Sequence, residues 1–125
     1  MTYFRPTILL FSIMTLFTAA AYAQAPLQTK DGILVDQAGM TVYTFDKDQA
    51  NSGKSVCNDQ CAKAWPPVVA DANANPEGDY SIVERDDGTK QWAYKGQPLY
   101  TFAKDTKAGD KTGDKVREVW HVVKP

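Results

Sequence analysis

The stretches YTFDKD at 43–48 and YTFAKD at 100–105 differ at one position, and they decide the fold of this 125-residue chain. The tyrosine and the phenylalanine lie two positions apart in each stretch, so that they share one face of a strand. A glycine precedes and a tryptophan follows each stretch: Gly39 and Gly96, then Trp65 and Trp120. The chain is therefore predicted to contain two repeat units, at about 39–69 and 96–123, that pack together to form one core.

Short β-like segments separated by turns fill most of the remaining chain. Strands are predicted on both sides of the Asp36–Gly39 turn, around the Asp86–Gly88 turn, at Leu99–Phe102, and in the closing segment VREVWHVV, while Gln24–Lys30 is predicted to be a loose lead-in. We therefore expect a mainly-β, small single domain with short antiparallel strands, barrel-like or sandwich-like, and one short helix.

The amino terminus has the organisation of a secretory signal peptide. Arg5 precedes the apolar segment TILLFSIMTLFTAA, and Ala21-Tyr22-Ala23 follows it as an A-x-A exit. The apolar segment is shorter than the roughly 20 residues that a membrane-spanning helix needs, which argues against the alternative of an anchor. We therefore predict a signal peptide at 1–23, a secreted domain at 24–125 in the periplasm or outside the cell, and no integral membrane segment after cleavage.

The charge balance of the exported part argues against two classes of partner. Removal of Arg5 with the signal leaves 13 basic and 15 acidic side chains, a formal net charge of −2, with both signs mixed along the chain. Nucleic acids and anionic membranes select clustered positive charge, so neither is expected as a partner. The exported domain is expected to be a monomer.

The two cysteines, Cys57 and Cys61, lie in the exported part of the chain. The segment CNDQCAKAW, with Asn58 as a capping residue and Pro66 as a terminator, predicts a helix of about two turns that carries both cysteines. Residues at i and i+4 lie on one helix face at about 6 Å between Cα atoms, within the range that a disulfide accepts. An even number of cysteines in an oxidising compartment favours a structural disulfide.

A metal or redox site is the alternative for the same residues. Soft thiolates suit Cu(I), and Cys57 and Cys61 would then bind copper together with the single histidine, His121. The spacing excludes c-type haem attachment, which requires C-x-x-C-H. His121 lies between Val119 and Val123 in the alternating pattern of a strand, where a packed, hydrogen-bonded histidine is the ordinary outcome.

Two further patterns have an ordinary structural explanation as well as a functional one. The acidic loops contain Asp46, Asp48, Asp105, Asp110 and Asp114, but they lack the ligand ladder and closing Glu of a calcium loop, so solvated turns are favoured. The aromatic residues Tyr80, Trp92 and Tyr94 would suit either a ligand platform or the inner face of a hairpin. No nucleophile and base stand in a recognisable catalytic pattern, so no enzyme is predicted.

The signature Tyr-x-(Phe/Trp/Tyr)-x-x-Asp occurs twice, as Tyr43, Phe45 and Asp48 and as Tyr100, Phe102 and Asp105. Together with CAKAWPPV, QWAYKGQPLYTF and VWHVV, it resembles a bacterial family of secreted repeat proteins, many of them described as lipoproteins. The signal segment lacks a terminal cysteine, so no lipid anchor is expected. The family is generally described as uncharacterised, so the resemblance implies no particular activity.

The sequence thus predicts an exported, non-enzymatic module without a cofactor that binds an unknown partner or supports the envelope. The alternative is a periplasmic copper-binding, haem-binding or thiol-redox protein that uses Cys57, Cys61 and His121. Within the signature, Asp48 and Asp105 are expected to accept backbone N–H bonds just beyond each strand. The signature tyrosines are expected to pack in the core with their hydroxyls hydrogen-bonded near its rim.

Overall fold

The computed structural model describes residues 25–125, so the predicted signal peptide at 1–23 lies outside the described residues. The elements are β1 Leu27–Lys30, β2 Ile33–Asp36, β3 Tyr43–Phe45, α1 Gln60–Ala64, β4 Tyr80–Glu84, β5 Lys90–Tyr94, β6 Gln97–Pro98, a 3-10 helix at Val116–Glu118, and β7 Trp120–Val122. The strands pair antiparallel, β1 with β2, β3 with β7, and β5 with both β4 and β6. The predicted mainly-β class with short antiparallel strands is confirmed.

The two repeats meet at the equivalent tyrosines of the signature. Tyr43 and Tyr100 exchange backbone hydrogen bonds, with N···O distances of 2.7 and 2.9 Å. On either side of this pair, the Asp46 amide donates to the Val119 carbonyl and the Ala103 amide donates to the Ala64 carbonyl. Since these bonds join equivalent positions in opposite directions, an approximate twofold axis passes between the two tyrosines.

The repeats enclose two cores with different compositions. The first core is largely aliphatic and contains Leu34, Val42, Val68, Ala70, Ala74, Trp92, Leu99 and Val123. The second core is largely aromatic and contains Tyr43, Phe45, Cys57, Trp65, Tyr100, Phe102 and Trp120. Because successive residues of a strand face opposite sides, Val42 enters the first core while Tyr43 and Phe45 enter the second.

The prediction of a loose lead-in at Gln24–Lys30 was wrong, because Leu27–Lys30 forms β1 and pairs with β2. The turn between these strands is Asp31-Gly32, with φ of 51° and 80°. A two-residue hairpin turn of this kind needs positive φ at both positions, and Asp-Gly is a favoured pair there. The Asp-Gly signal was therefore present in the sequence, although β1 itself is polar and largely exposed.

Two strand predictions are corrected in part. The strand predicted at Leu99–Phe102 is instead the two-residue strand Gln97–Pro98. Within the predicted segment only Tyr100 forms β-bridges, one to Tyr43 and one to Pro67. The closing segment VREVWHVV is a strand only over Trp120–Val122. Its first half turns instead, because Arg117 and Glu118 adopt positive φ, which no regular strand accommodates.

The predicted helix is present but shorter than expected. It begins at Gln60, after Asp59 rather than Asn58 as the capping position, and therefore carries Cys61 but not Cys57. Cys57 is held before the helix because its amide donates to Ser55 Oγ and its carbonyl accepts from Arg85 Nη2. Within residues 25–125, no helix has the length and apolar character needed to cross a membrane.

Candidate functional site

The signature residues form two hydrogen-bonded pairs that cross between the repeats. The Tyr43 hydroxyl donates to Asp105 Oδ2 at 2.6 Å, and the Tyr100 hydroxyl donates to Asp48 Oδ2 at 2.5 Å. The other carboxylate oxygen of each aspartate accepts a backbone N–H from its own loop, from Val56 at 2.7 Å and from Thr112 at 3.0 Å. Each aspartate therefore fixes the loop of its own repeat and holds the tyrosine of the other.

The burial of these pairs determines their ionisation. Burial raises the pKa of Tyr100 far above its usual range, and the hydrogen bond to Asp48 raises it further. Burial also raises the pKa of Tyr43, with a further contribution from Asp105. The pKa of Asp48 is raised by burial, and its hydrogen bonds from Tyr100 and Val56 partly oppose that shift. At neutral pH both tyrosines are thus hydroxyl donors, as the pairing requires.

A buried arginine supports the Tyr100–Asp48 pair, and no arginine among the described residues contacts the Tyr43–Asp105 pair. Arg85 donates from Nη1 to Ser55 Oγ at 3.0 Å and to Gln91 Oε1 at 2.7 Å. Ser55 Oγ in turn lies 2.5 Å from the Tyr100 hydroxyl, and Arg85 acts on Asp48 through its charge. A buried charge is tolerated when it is hydrogen-bonded and compensated, so this network is structural.

Four aromatic rings form a continuous stack across the twofold axis. Phe45 stacks on Trp120 at 4.2 Å between ring centroids, Trp120 on Trp65 at 3.7 Å, and Trp65 on Phe102 at 4.0 Å. Each phenylalanine thus stacks on the tryptophan of the other repeat. The stack therefore resembles the Tyr–Asp pairs in joining side chains of opposite repeats.

A groove of about 520 Å³ opens over this stack. Its lining residues are Phe45, Lys47, Gln60, Cys61, Ala64, Trp65, Phe102, Lys104, Val116, Arg117, Val119 and Trp120. Phe45 and Lys47 recur 57 residues later as Phe102 and Lys104, and Trp65 recurs 55 residues later as Trp120. The groove therefore spans the approximate twofold axis, and a volume of this size suits a small organic ligand.

The charged groups of the groove are all cationic. Lys47, Lys104 and Arg117 line it, and no carboxylate is among the lining residues. No lysine or arginine among residues 25–125 lies within salt-bridge distance of a carboxylate, so the three cations have no carboxylate partner in that range. Unpaired cations beside an apolar surface provide charge complementarity for an organic anion.

The predicted disulfide is confirmed. Cys57 and Cys61 are joined with an S–S distance of 2.03 Å and a Cα–Cα distance of 5.1 Å. Cys57 is completely buried, whereas Cys61 reaches the groove. His121 lies elsewhere, with Nε2 at 2.7 Å from Asp46 Oδ2 on a half-exposed surface. The described part of the chain contains no group of three or more His, Cys, Asp or Glu side chains arranged for a metal ion.

The remaining sequence candidates have structural partners. The Asp110 carboxylate accepts the backbone N–H groups of Thr106 and Lys107, and Asp114 accepts that of Val122. Among the aromatic candidates, Trp92 is buried in the aliphatic core, with Tyr80 and Tyr94 packed against that core. These three residues form the inner face of a hairpin, which was one of the two interpretations of the sequence.

The groove cations were not identified from the sequence, although one signal was available. Lys47 and Lys104 are the fifth residues of the two stretches YTFDKD and YTFAKD, so the repeat preserves the lysine as well as the signature. A lysine in a polar loop ordinarily indicates only a solvated surface. Arg117 has no equivalent cation, because position 62 of the first repeat is alanine.

The fold and the groove together define a class of small two-repeat β modules, closed by contacts exchanged between the repeats. Within that class, the chain belongs to a family described as a secreted repeat of unknown function, whose sequence model matches residues 26–69 and 81–124. Each match contains a hairpin, a signature stretch and a tryptophan segment. Comparisons with curated proteins and with solved structures found no match.

Proposed function

We propose that this chain is an exported, non-enzymatic binding module that acts as a monomer without a cofactor, in the periplasm or outside the cell. Its binding site is the groove over the aromatic stack. The observation that carries this proposal is the placement of Lys47, Lys104 and Arg117, without carboxylate partners in the described chain, around an apolar floor. Small organic anions fit that combination of charge and apolar surface.

The positions of the polar side chains favour binding over catalysis. The signature tyrosines and aspartates are buried and hydrogen-bonded to one another, so the tyrosine hydroxyl protons are already donated within the fold. The groove itself offers lysine and arginine side chains, a glutamine and apolar surface. These groups can hold and orient an anion, and the proposed role requires nothing more of them.

Isothermal titration calorimetry with naphthoate, using the disulfide-bonded domain 24–125, tests this proposal. Ala64 is exposed and lines the groove, so Ala64→Phe should obstruct the site and weaken binding about tenfold or more. Ala72→Phe, at an exposed loop position outside the groove, is the matched control and should bind as the unchanged domain does. Equal binding by both variants, or no binding by the unchanged domain, would contradict the groove as the site.

The non-enzymatic part of the proposal needs a separate measurement. Naphthoate incubated with the domain and recovered should have an unchanged mass. Native mass spectrometry of protein purified gently from the exported fraction should likewise show an intact organic anion, and Ala64→Phe should lose that anion. Conversion of a bound ligand by the unchanged protein but not by Ala64→Phe would instead indicate an enzyme.

A further inference from the structure

We infer that the groove selects a dianionic ligand with a flat apolar centre, in which one anionic group contacts Lys47 and the other contacts Lys104. This inference rests on the proposed function, since it names the ligand class of the same groove. The inference follows from the symmetry of the site, because two equivalent lysines are present and a ligand with one anionic group needs only one of them.

The two lysines are equivalent positions of the two repeats. Each follows its signature phenylalanine by two residues, and the rings of Phe45 and Phe102 occupy the two ends of the four-ring stack. Because the approximate twofold axis relates the two halves of the groove, the lysines belong to opposite halves with the Trp65–Trp120 pair between them. The site thus repeats a cation on each side of one apolar centre.

The remaining lining residues follow the same symmetry. Ala64 and Val119 are equivalent positions, as are Cys61 and Val116, and all four are small or aliphatic. Apolar surface therefore extends on both sides of the axis, and a ligand with apolar bulk at its centre buries the most of it. A ligand with a single anionic group would contact only one of the two lysines.

Arg117 breaks the symmetry and adds a direction to the site. Its planar guanidinium can bind a carboxylate through two parallel N–H bonds, whereas a lysine acts as a point charge. The Val119 carbonyl, two residues after Arg117, accepts from the amide of Asp46, the neighbour of Lys47, so Arg117 lies in the Lys47 half of the groove. Because its equivalent in the other half is Ala62, the Lys47 half has two cations and the Lys104 half has one. A dianion whose two groups differ is expected to place the more strongly charged group toward Arg117.

The experiment compares two probes that share one ring system. Naphthoate has a single carboxylate, and a naphthalenedicarboxylate has one carboxylate at each opposite end of the rings. Both are titrated at low salt into the unchanged domain and into Lys47→Gln, Lys104→Gln and the double variant. Lys90→Gln, in β5 and outside the groove, controls for the change in net charge.

The dicarboxylate should bind the unchanged domain about threefold or more tightly than naphthoate, since an exposed ion pair contributes about this factor. Lys47→Gln and Lys104→Gln should each remove about threefold of the dicarboxylate affinity, and the double variant should bind the two probes equally. The preference should shrink as salt is added, because exposed charges are screened. Lys90→Gln should leave the preference unchanged.

The outcomes separate this inference from the proposed function. If both probes bind equally and Ala64→Phe still abolishes binding, the groove is a binding site but the dianion inference is wrong. If only one lysine affects the dicarboxylate, the symmetric engagement is wrong. If neither probe binds, or if Ala64→Phe has no effect, the groove itself fails and the inference fails with it.

Discussion

At the scale of single residues, the Tyr–Asp pairs explain why the signature has its spacing. In each repeat the tyrosine enters the aromatic core, while the aspartate five residues later hydrogen-bonds to the loop that follows. The tyrosine cannot satisfy its hydroxyl within its own repeat, since its acceptor is the aspartate of the other. The sequence predicted a core tyrosine and a loop-fixing aspartate, but periodicity within one repeat gives no information about a partner in the other.

Replacement of Tyr100 by phenylalanine tests the pair that includes Asp48. The variant leaves one oxygen of a buried carboxylate without its donor, and should lower the free energy of unfolding by about 1–3 kcal/mol at neutral pH. Tyr94→Phe removes a hydroxyl that makes no hydrogen bond to another described residue, and should be nearly neutral. Urea unfolding of both variants measures the difference.

The loss in Tyr100→Phe should also depend on pH, in a direction that follows from the pKa of Asp48. Burial raises that pKa in the folded state, and the Tyr100 hydrogen bond opposes the rise, so the variant should raise it further. A carboxyl with a raised folded pKa contributes most stability below its unfolded pKa, and loses it as pH rises through the folded value. Tyr100→Phe should therefore lower the free energy of unfolding less near pH 4, close to the usual pKa of an aspartate, than near pH 7. An equal loss at both pH values would contradict the assignment.

At the scale of elements, sequence patterns predicted those whose signal is local. The β4–β5 hairpin follows from Asp86-Asp87-Gly88, and it forms as predicted, with the Gly88 amide donating to the Arg85 carbonyl. The groove could not be predicted, because its floor depends on stacking between residues 37 or more positions apart, such as Trp65 and Trp120. The positive φ of Arg117 was also hidden, since neither glycine nor asparagine marks it.

The backbone beside Arg117 predicts a conflict between stability and binding. Arg117 and Glu118 have φ of 49° and 59°, a region that disfavours residues with a Cβ. Glycine at either position relieves the backbone strain, although it also raises the conformational entropy of the unfolded chain. Arg117→Gly and Glu118→Gly should therefore each give a net stabilisation of about 0.5–1 kcal/mol. Only Arg117→Gly should weaken dicarboxylate binding, because only Arg117 lines the groove. Thermal unfolding and calorimetry of both variants would show whether the two effects separate.

The disulfide element predicts a modest change in stability. Cys57 and Cys61 close a short loop with a sequence separation of 4. Loss of such a short loop closure should cost about 2 kcal/mol, so the double variant Cys57→Ala/Cys61→Ala should remain folded. Urea unfolding of the variant and of the oxidised protein measures this cost.

The same cysteines provide a test of the copper alternative. Because His121 contacts Asp46, we expect any Cu(I) uptake by the reduced protein to be independent of His121. Titration of reduced protein against a copper competitor, with His121→Ala as the comparison, decides the matter. Stoichiometric binding that falls in His121→Ala would support a copper site formed by the three residues.

At the scale of the whole molecule, the repeats are interlocked rather than merely adjacent. Each repeat supplies the aspartate, the tryptophan stacking partner and a backbone pairing partner that the other lacks. A single repeat would leave a buried carboxylate and a tyrosine hydroxyl without partners and would expose half of the aromatic core. Those costs are large against the 5–15 kcal/mol that stabilises a typical domain. The independently folding unit is therefore the pair of repeats.

Cutting the chain between the repeats tests this interdependence. Asn75 and Pro76 are exposed in the loop between the two matched repeats, so fragments 24–75 and 76–125 separate the repeats without cutting a strand. Each fragment alone should be unfolded, because its tyrosine and its phenylalanine lack their partners. Mixed in equal amounts, the fragments should associate and restore the Trp65–Trp120 stack, whose coupled indoles give an exciton couplet in the far-ultraviolet circular dichroism.

Mixing with a second fragment that carries Trp120→Phe should restore strand pairing without the couplet, which separates correct docking from non-specific association. A couplet-free mixture of the unchanged fragments, or a single fragment with a cooperative unfolding transition, would show that the repeats do not depend on each other.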